Sequence, residues 1–196
     1  NDRSPIVLNS SPLVLQLDSV LSKIRIRADD PHVEHISKMI DDAQAVAKPK
    51  ALSREAYIDA KHDNSVVIDG ITFTSRVLRV NLDEAHKVFP FVATCGQEID
   101  EWSRSFDDLL ERYWAESIKE IALGAATHAL GQHMDSHFAP GSTSSMNPGS
   151  LEDWPLDQQA PLFELLGDPK AAIGVELTDS FLMLPTKSVS GITFAT

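Results

Sequence analysis

Apolar positions recur along the chain with more than one rhythm. Val33, Ile36, Ile40, Ala43 and Ala47 repeat at helical spacing, with Met39 and Val46 widening the stripe, which predicts an amphipathic helix. Asp30-Pro31 supplies its start, an N-cap acceptor followed by proline at the first helical position, and Lys48-Pro49 its end. A smaller helix opens at Leu17-Asp18 and carries Val20, Leu21 and Ile24. The next segments read as strands: Ala56 to Ile58, then Ser65 to Phe73 folded at Asp69-Gly70, a two-residue hairpin turn, then Val88 to Thr94. Ile99 and Trp102 mark a short helix. From Phe106, the residues Leu110, Trp114, Ile118, Ile121, Ala125 and Ala129 trace one face of a long one. Its Gly124-Ala125-Ala126 patch predicts a close approach by another element.

Residues 139–152 are rich in Gly, Ser, Pro and Asn and read as a long loop, either a mobile connector or a functional segment. Pro155 then begins a helix with Leu156, Ala160, Phe163 and Leu166 on one face, stopped by Gly167. Asp168-Pro169 begins a second helix, stopped by Gly174. Val175 to Leu177, Phe181 to Met183 and Ser188 to Phe194 read as strands. Runs of helices and strands without regular βαβ alternation predict one α+β domain over residues 1–196. Its blocks are 1–95 (helix plus strands), 96–138 (helical), 139–152 (loop) and 153–196.

Charge changes what such a domain can be. With 17 basic and 29 acidic residues the net charge is −12. Nucleic-acid binding wants clustered Lys and Arg, and an anionic membrane surface wants the same, so neither partner is expected. A basic partner or a cationic ligand is compatible. No apolar run approaches the ~20 residues that span a bilayer. The first ten residues have no signal-peptide pattern, and a single cysteine, Cys95, rules out an internal disulfide. These features predict a cytoplasmic protein.

Candidate chemistry is sparse. His133 and His137 stand four apart near the end of the long helix, a spacing that can hold a metal, but Asp135 points off that face. Histidines there also have a plain role against the helix dipole. Cys95, before Gly96, is either a thiolate held at a helix start or a small buried hydrophobe. Gly-rich nucleotide loops and a G-x-S-x-G elbow are missing from the sequence. Asp179 falls in an otherwise apolar row, as a strand break with Thr178 and Asp179 serving loop amides, or as a ligand contact.

One resemblance adds to this reading. Asn147-Pro148-Gly149, the D-W-P-L string Asp153 to Leu156, Leu162 to Gly167, the run Ile173 to Pro185 containing L-T-D-S, and the S-V-S-G string Ser188 to Gly191 occur in order. This resembles the activation domain of cobalamin-dependent methionine synthase, and is most similar to its short, free-standing relatives. The resemblance implies a twisted antiparallel sheet with flanking helices and a shallow groove for S-adenosylmethionine. It implies an accessory role in corrinoid (vitamin B12)-dependent methyl transfer, with the ligand presented for reductive methylation of cob(II)alamin. The implied partners are a corrinoid protein or methyltransferase, through which cobalamin is met, and a flavodoxin-type reductant. Implied ligand residues are Ser145, Asn147, Pro148, Gly149, Ser150, Thr178, Asp179, Ser188 and Ser190. Ser145 and Ser150 stand where the family carries an arginine and a tyrosine, and serine supplies no charge for the ligand's carboxylate. The alternative is a non-catalytic protein of the same fold that has lost that site and binds a corrinoid, another small molecule or a methyltransferase subunit.

Overall fold

The computed structural model describes residues 4–196. Its architecture is α+β. The N-terminal part runs β1 (Ile6–Leu8), α1 (Leu17–Ile24), α2 (Val33–Val46), β2 (Lys50–Ser53), β3 (Ala56–Lys61), β4 (Ser65–Ile68) and β5 (Ile71–Thr74). Then come α3 (Arg76–Asn81), β6 (Lys87–Thr94), α4 (Gln97–Ser103), α5 (Leu109–His137) and β7 (Thr143–Met146). A 3-10 turn at Leu156–Gln158 leads into α6 (Gln159–Leu166), α7 (Pro169–Ile173), β8 (Glu176–Leu177), β9 (Met183–Leu184) and β10 (Ser188–Ala195).

Strand β6 organises the sheet. It pairs along one edge with β2 and β3, and along the other with β10, which pairs in turn with β7. All these pairings are antiparallel. β4 and β5 extend the sheet from β3, joined at Asp69-Gly70, where φ is +44° and +82°. Two successive positive φ angles are what a tight hairpin of this length requires.

The sheet has two covered faces. On one, α6 and α7 bury Leu162, Leu165, Leu166 and Ile173 against Val66, Ile68, Val92, Ile192 and Phe194. On the other, α5 lays Ala126 and Leu130 on Ala51, Phe91 and Ala93. Beyond the sheet, the first half of α5 packs with α1, α2 and α4 around Trp114, Ile118, Val20, Ile36 and Cys95.

Several sequence expectations need correction. The buried row of α5 is Trp114, Ile118, Ala122, Ala126, Leu130 and Met134, not the row through Ile121, Ala125 and Ala129. The helix keeps four-residue steps because it must pass from the helical cluster onto the sheet. Ala126 makes the close approach, whereas a Cβ on Gly124 would meet open space. Helix α2 starts at Val33, not Pro31. Asp30 spends its carboxylate on the amide and ring of His32, closing a turn ahead of the helix. In α6 the core takes Gln159, Leu162, Leu165 and Leu166, while Ala160 is exposed. The expected strands before Pro185 shrink to the two-residue pair β8 and β9, and Val175 lies outside them. The 139–152 loop contains β7, a polar edge strand held by the ladder of β10.

Candidate functional site

Strand alternation decides which motif residues meet. On β10, Ser188, Ser190, Ile192 and Phe194 share one face, and Val189, Gly191 and Thr193 the other. Ile192 and Phe194 belong to the core under α6 and α7, so Ser188 and Ser190 face that side. The buried Ser190 hydroxyl donates to Gln159 Oε1. Ser188 Oγ donates to Pro185 O at 2.7 Å and lies 2.8 Å from Thr94 Oγ1. Both hydroxyls therefore hold elements together.

The opposite face forms a groove. Phe91 of β6 and Val189 of β10 floor it, with Leu130 and Met134 of α5 as an apolar wall. Thr127, Gly131 and Asp135 continue that wall toward solvent, and Thr143, Ser145, Thr193 and Pro140 close the other side. Its volume is about 360 Å³, within the usual range of small-molecule sites. Ser145 Oγ and Thr193 Oγ1, opposite each other in the β7–β10 ladder, are 2.7 Å apart. Two hydroxyls carry two protons and their mutual bond uses one, leaving one O–H for a ligand.

Of the nine motif residues, Ser145 lines this groove. The Asn147 amide donates to Ser190 O at 2.6 Å, locking β7 to β10 from its end. Pro148 is buried and Gly149 packs on Leu156, with its N–H bonded to Trp154 O. The Ser150 N–H closes a turn onto Asn147 O. Thr178 Oγ1 accepts from Ser180 N and Leu182 N, and Asp179 is exposed between β8 and β9. The row is broken there, as its polarity implied.

The D-W-P-L string is also structural. Asp153 accepts from Val77 N at 2.7 Å and Ser75 Oγ at 3.0 Å, tying the loop to the start of α3. Those bonds hold its carboxyl below the usual carboxylate range, the Val77 amide first and the Ser75 hydroxyl second. Trp154 is fully buried, edge-on to Phe73.

The remaining candidates resolve by geometry. The His133 and His137 rings stack with centroids 3.8 Å apart, and His137 Nδ1 lies 3.0 Å from the His133 carbonyl. Burial, then its neighbour's charge, pulls the His133 pKa down. Among the described residues, no group of three or more metal-ligating side chains comes together. Cys95 is completely buried, and burial pushes its thiol up to about 12, so the small-hydrophobe reading holds. No described helix is long and apolar enough to cross a membrane.

Sequence reasoning missed the α5 side of the groove. Thr127, Gly131 and Asp135 are four apart beside the buried Leu130 and Met134, a row of small and polar residues that marks an uncovered helix flank. The sequence alone does not say that β7 and β10 face it.

Residues 153–196 match the family described as the vitamin B12 dependent methionine synthase, activation domain. The structure is similar to the MetH reactivation domain solved bound to AdoHcy. The TM-score is 0.72 at 15% identity, covering 98% of this chain and 78% of that one. At that identity the likeness establishes the fold. No curated protein matches the sequence.

Proposed function

We propose that this protein is an accessory of corrinoid-dependent methyl transfer, of the reactivation type, and that its groove holds an adenosyl-sulfur ligand of the S-adenosylmethionine class. The observation that carries this reading is the place of Ser145. It is the position where the resembling family carries a ligand residue, and it lines a cavity between β10 and α5. The similar structure, on the same fold, was solved with AdoHcy. Phe91, Leu130, Met134 and Val189 offer apolar surface to an adenine or a thioalkyl chain. Thr127, Thr143, Ser145 and Thr193 offer hydroxyls to ribose and adenine edges.

When bound, such a ligand supplies the methyl group for a partner's cobalt, while the protein supplies binding and orientation. The partner is a corrinoid protein or methyltransferase, served by a flavodoxin-type reductant, in the cytoplasm. A second reading keeps the fold as a binding platform without the adenosyl site. It is favoured by one observation, that among the described residues no Lys or Arg lines the groove. Thermal unfolding with S-adenosylmethionine, AdoHcy or methylcobalamin separates the two. At ~100-fold over its dissociation constant a ligand adds about 2.7 kcal/mol, a rise of several degrees. A rise with the adenosyl compounds is expected. A rise with the corrinoid alone, or with none, supports the platform.

A further inference from the structure

The charge around the groove says more than its shape. Among the described residues, Asp135 is the one charged side chain on its lining. It stands in the last turn of α5, where the carbonyl ends of the helix carry partial negative charge. Phe91 presents an aromatic ring at the floor, and ring faces attract cations. On the opposite side the Ser145–Thr193 pair offers one hydroxyl proton and no charge. A ligand carboxylate placed here meets Asp135, and the described lining residues offer it no cation. A sulfonium or ammonium meets Asp135, the helix end and the ring.

We infer that the groove selects a cationic ligand, and so prefers the methylated sulfonium of the methyl donor to the neutral thioether that remains after transfer. The adenosyl identity of the ligand rests on the function proposed above, whereas the charge preference does not. For a site that presents a methyl donor, the consequence is direct: the spent product is held less well than the donor that must replace it.

The test is titration calorimetry of the intact protein at pH 8, where unperturbed histidines are neutral. The ligands are S-adenosylmethionine, its decarboxylated analogue and AdoHcy. A second pair, choline and its uncharged isostere 3,3-dimethylbutanol, is followed by the NMR shifts of the Thr143 and Thr193 amides. The sulfonium should bind roughly five-fold tighter than the thioether, the reach of one partly screened charge pair. The decarboxylated analogue should bind at least as tightly as its parent. Asp135→Asn, at an exposed position, should erase the preference while leaving the unfolding temperature unchanged. Equal or tighter binding of the thioether, or a preference that survives Asp135→Asn, overturns the inference. If no adenosyl compound binds but choline moves the amides more than its isostere, and Asp135→Asn abolishes this, the adenosyl reading fails and the charge preference stands. If neither class binds, both fail.

Discussion

The glycine of the S-V-S-G string has a steric reason visible atom by atom. A Cβ on Gly191 would sit 2.5 Å from the Met146 carbonyl oxygen, 2.7 Å from the Asn147 amide nitrogen and 3.1 Å from the Phe91 ring. Two of these contacts lie at the end of β7, and Phe91 floors the groove. Gly191→Ala must therefore push β7 away from β10 or move the ring. A loss of about 1–3 kcal/mol is expected in urea denaturation, and an unchanged midpoint would contradict this account. The buried Cys95 thiol gives stability a pH dependence. The folded thiol keeps its proton to about 12, against an ordinary value of 9.0. The unfolded chain gives that proton up first, so stability falls as pH rises from about 9 toward 12. At pH 8, a thiol-alkylating reagent should label Cys95 no faster than the protein opens. Immediate labelling of the folded protein would show an accessible thiol.

At the scale of elements, α5 connects the parts. It is about 44 Å long and belongs to the helical cluster at one end and to the groove at the other. Its first half is bound to α4 by Lys119, buried and reaching Asp100 at 3.0 Å, Ser103 at 3.1 Å and Glu116 at 2.7 Å. Burial pulls this ammonium down, but the bonds to Glu116 and Asp100 outweigh it and hold its pKa above the usual lysine value. The contribution to stability is complete below about 10.5 and is lost as pH rises through the folded value. Lys119→Met leaves the buried Asp100, among the described residues, with Arg104 as its remaining cation. About 3 kcal/mol should be lost, read as a lower denaturation midpoint. A loss under about 1 kcal/mol would mean the network is solvated.

Elements also differ in how plainly the sequence announces them. The hairpin at Asp69-Gly70 is legible because two positive φ angles need those residues. Helix α1 is legible from its stripe, and the stop of α6 from Gly167. Strand β7 is not, because Thr143-Ser144-Ser145 is an exposed polar edge whose order comes from β10. Helix α3 is a short helix of six residues, capped by Ser75 and fastened from far along the chain by Asp153, a dependence no local window contains. The groove was legible only at Ser145, through resemblance. Ser188 and Ser190 share a face as their spacing implies, but strand alternation alone does not say which face of the sheet that is.

The whole molecule is a sheet with a different use for each face. One face is sealed by α6 and α7, and the motif strings of residues 147–156 and 188–191 mostly serve that seal. The other face is left open between β10 and the end of α5. We propose this opening as the place of the adenosyl ligand. Amide shift mapping by NMR, with isotope-labelled protein titrated with S-adenosylmethionine, tests it most directly. Saturable shifts are expected on Thr143, Ser145, Val189, Thr193 and the α5 residues Thr127, Gly131 and Asp135, with little change along α6 and α7. Shifts centred on the 147–150 turn, on Thr178 and Asp179, or nowhere at all would contradict it.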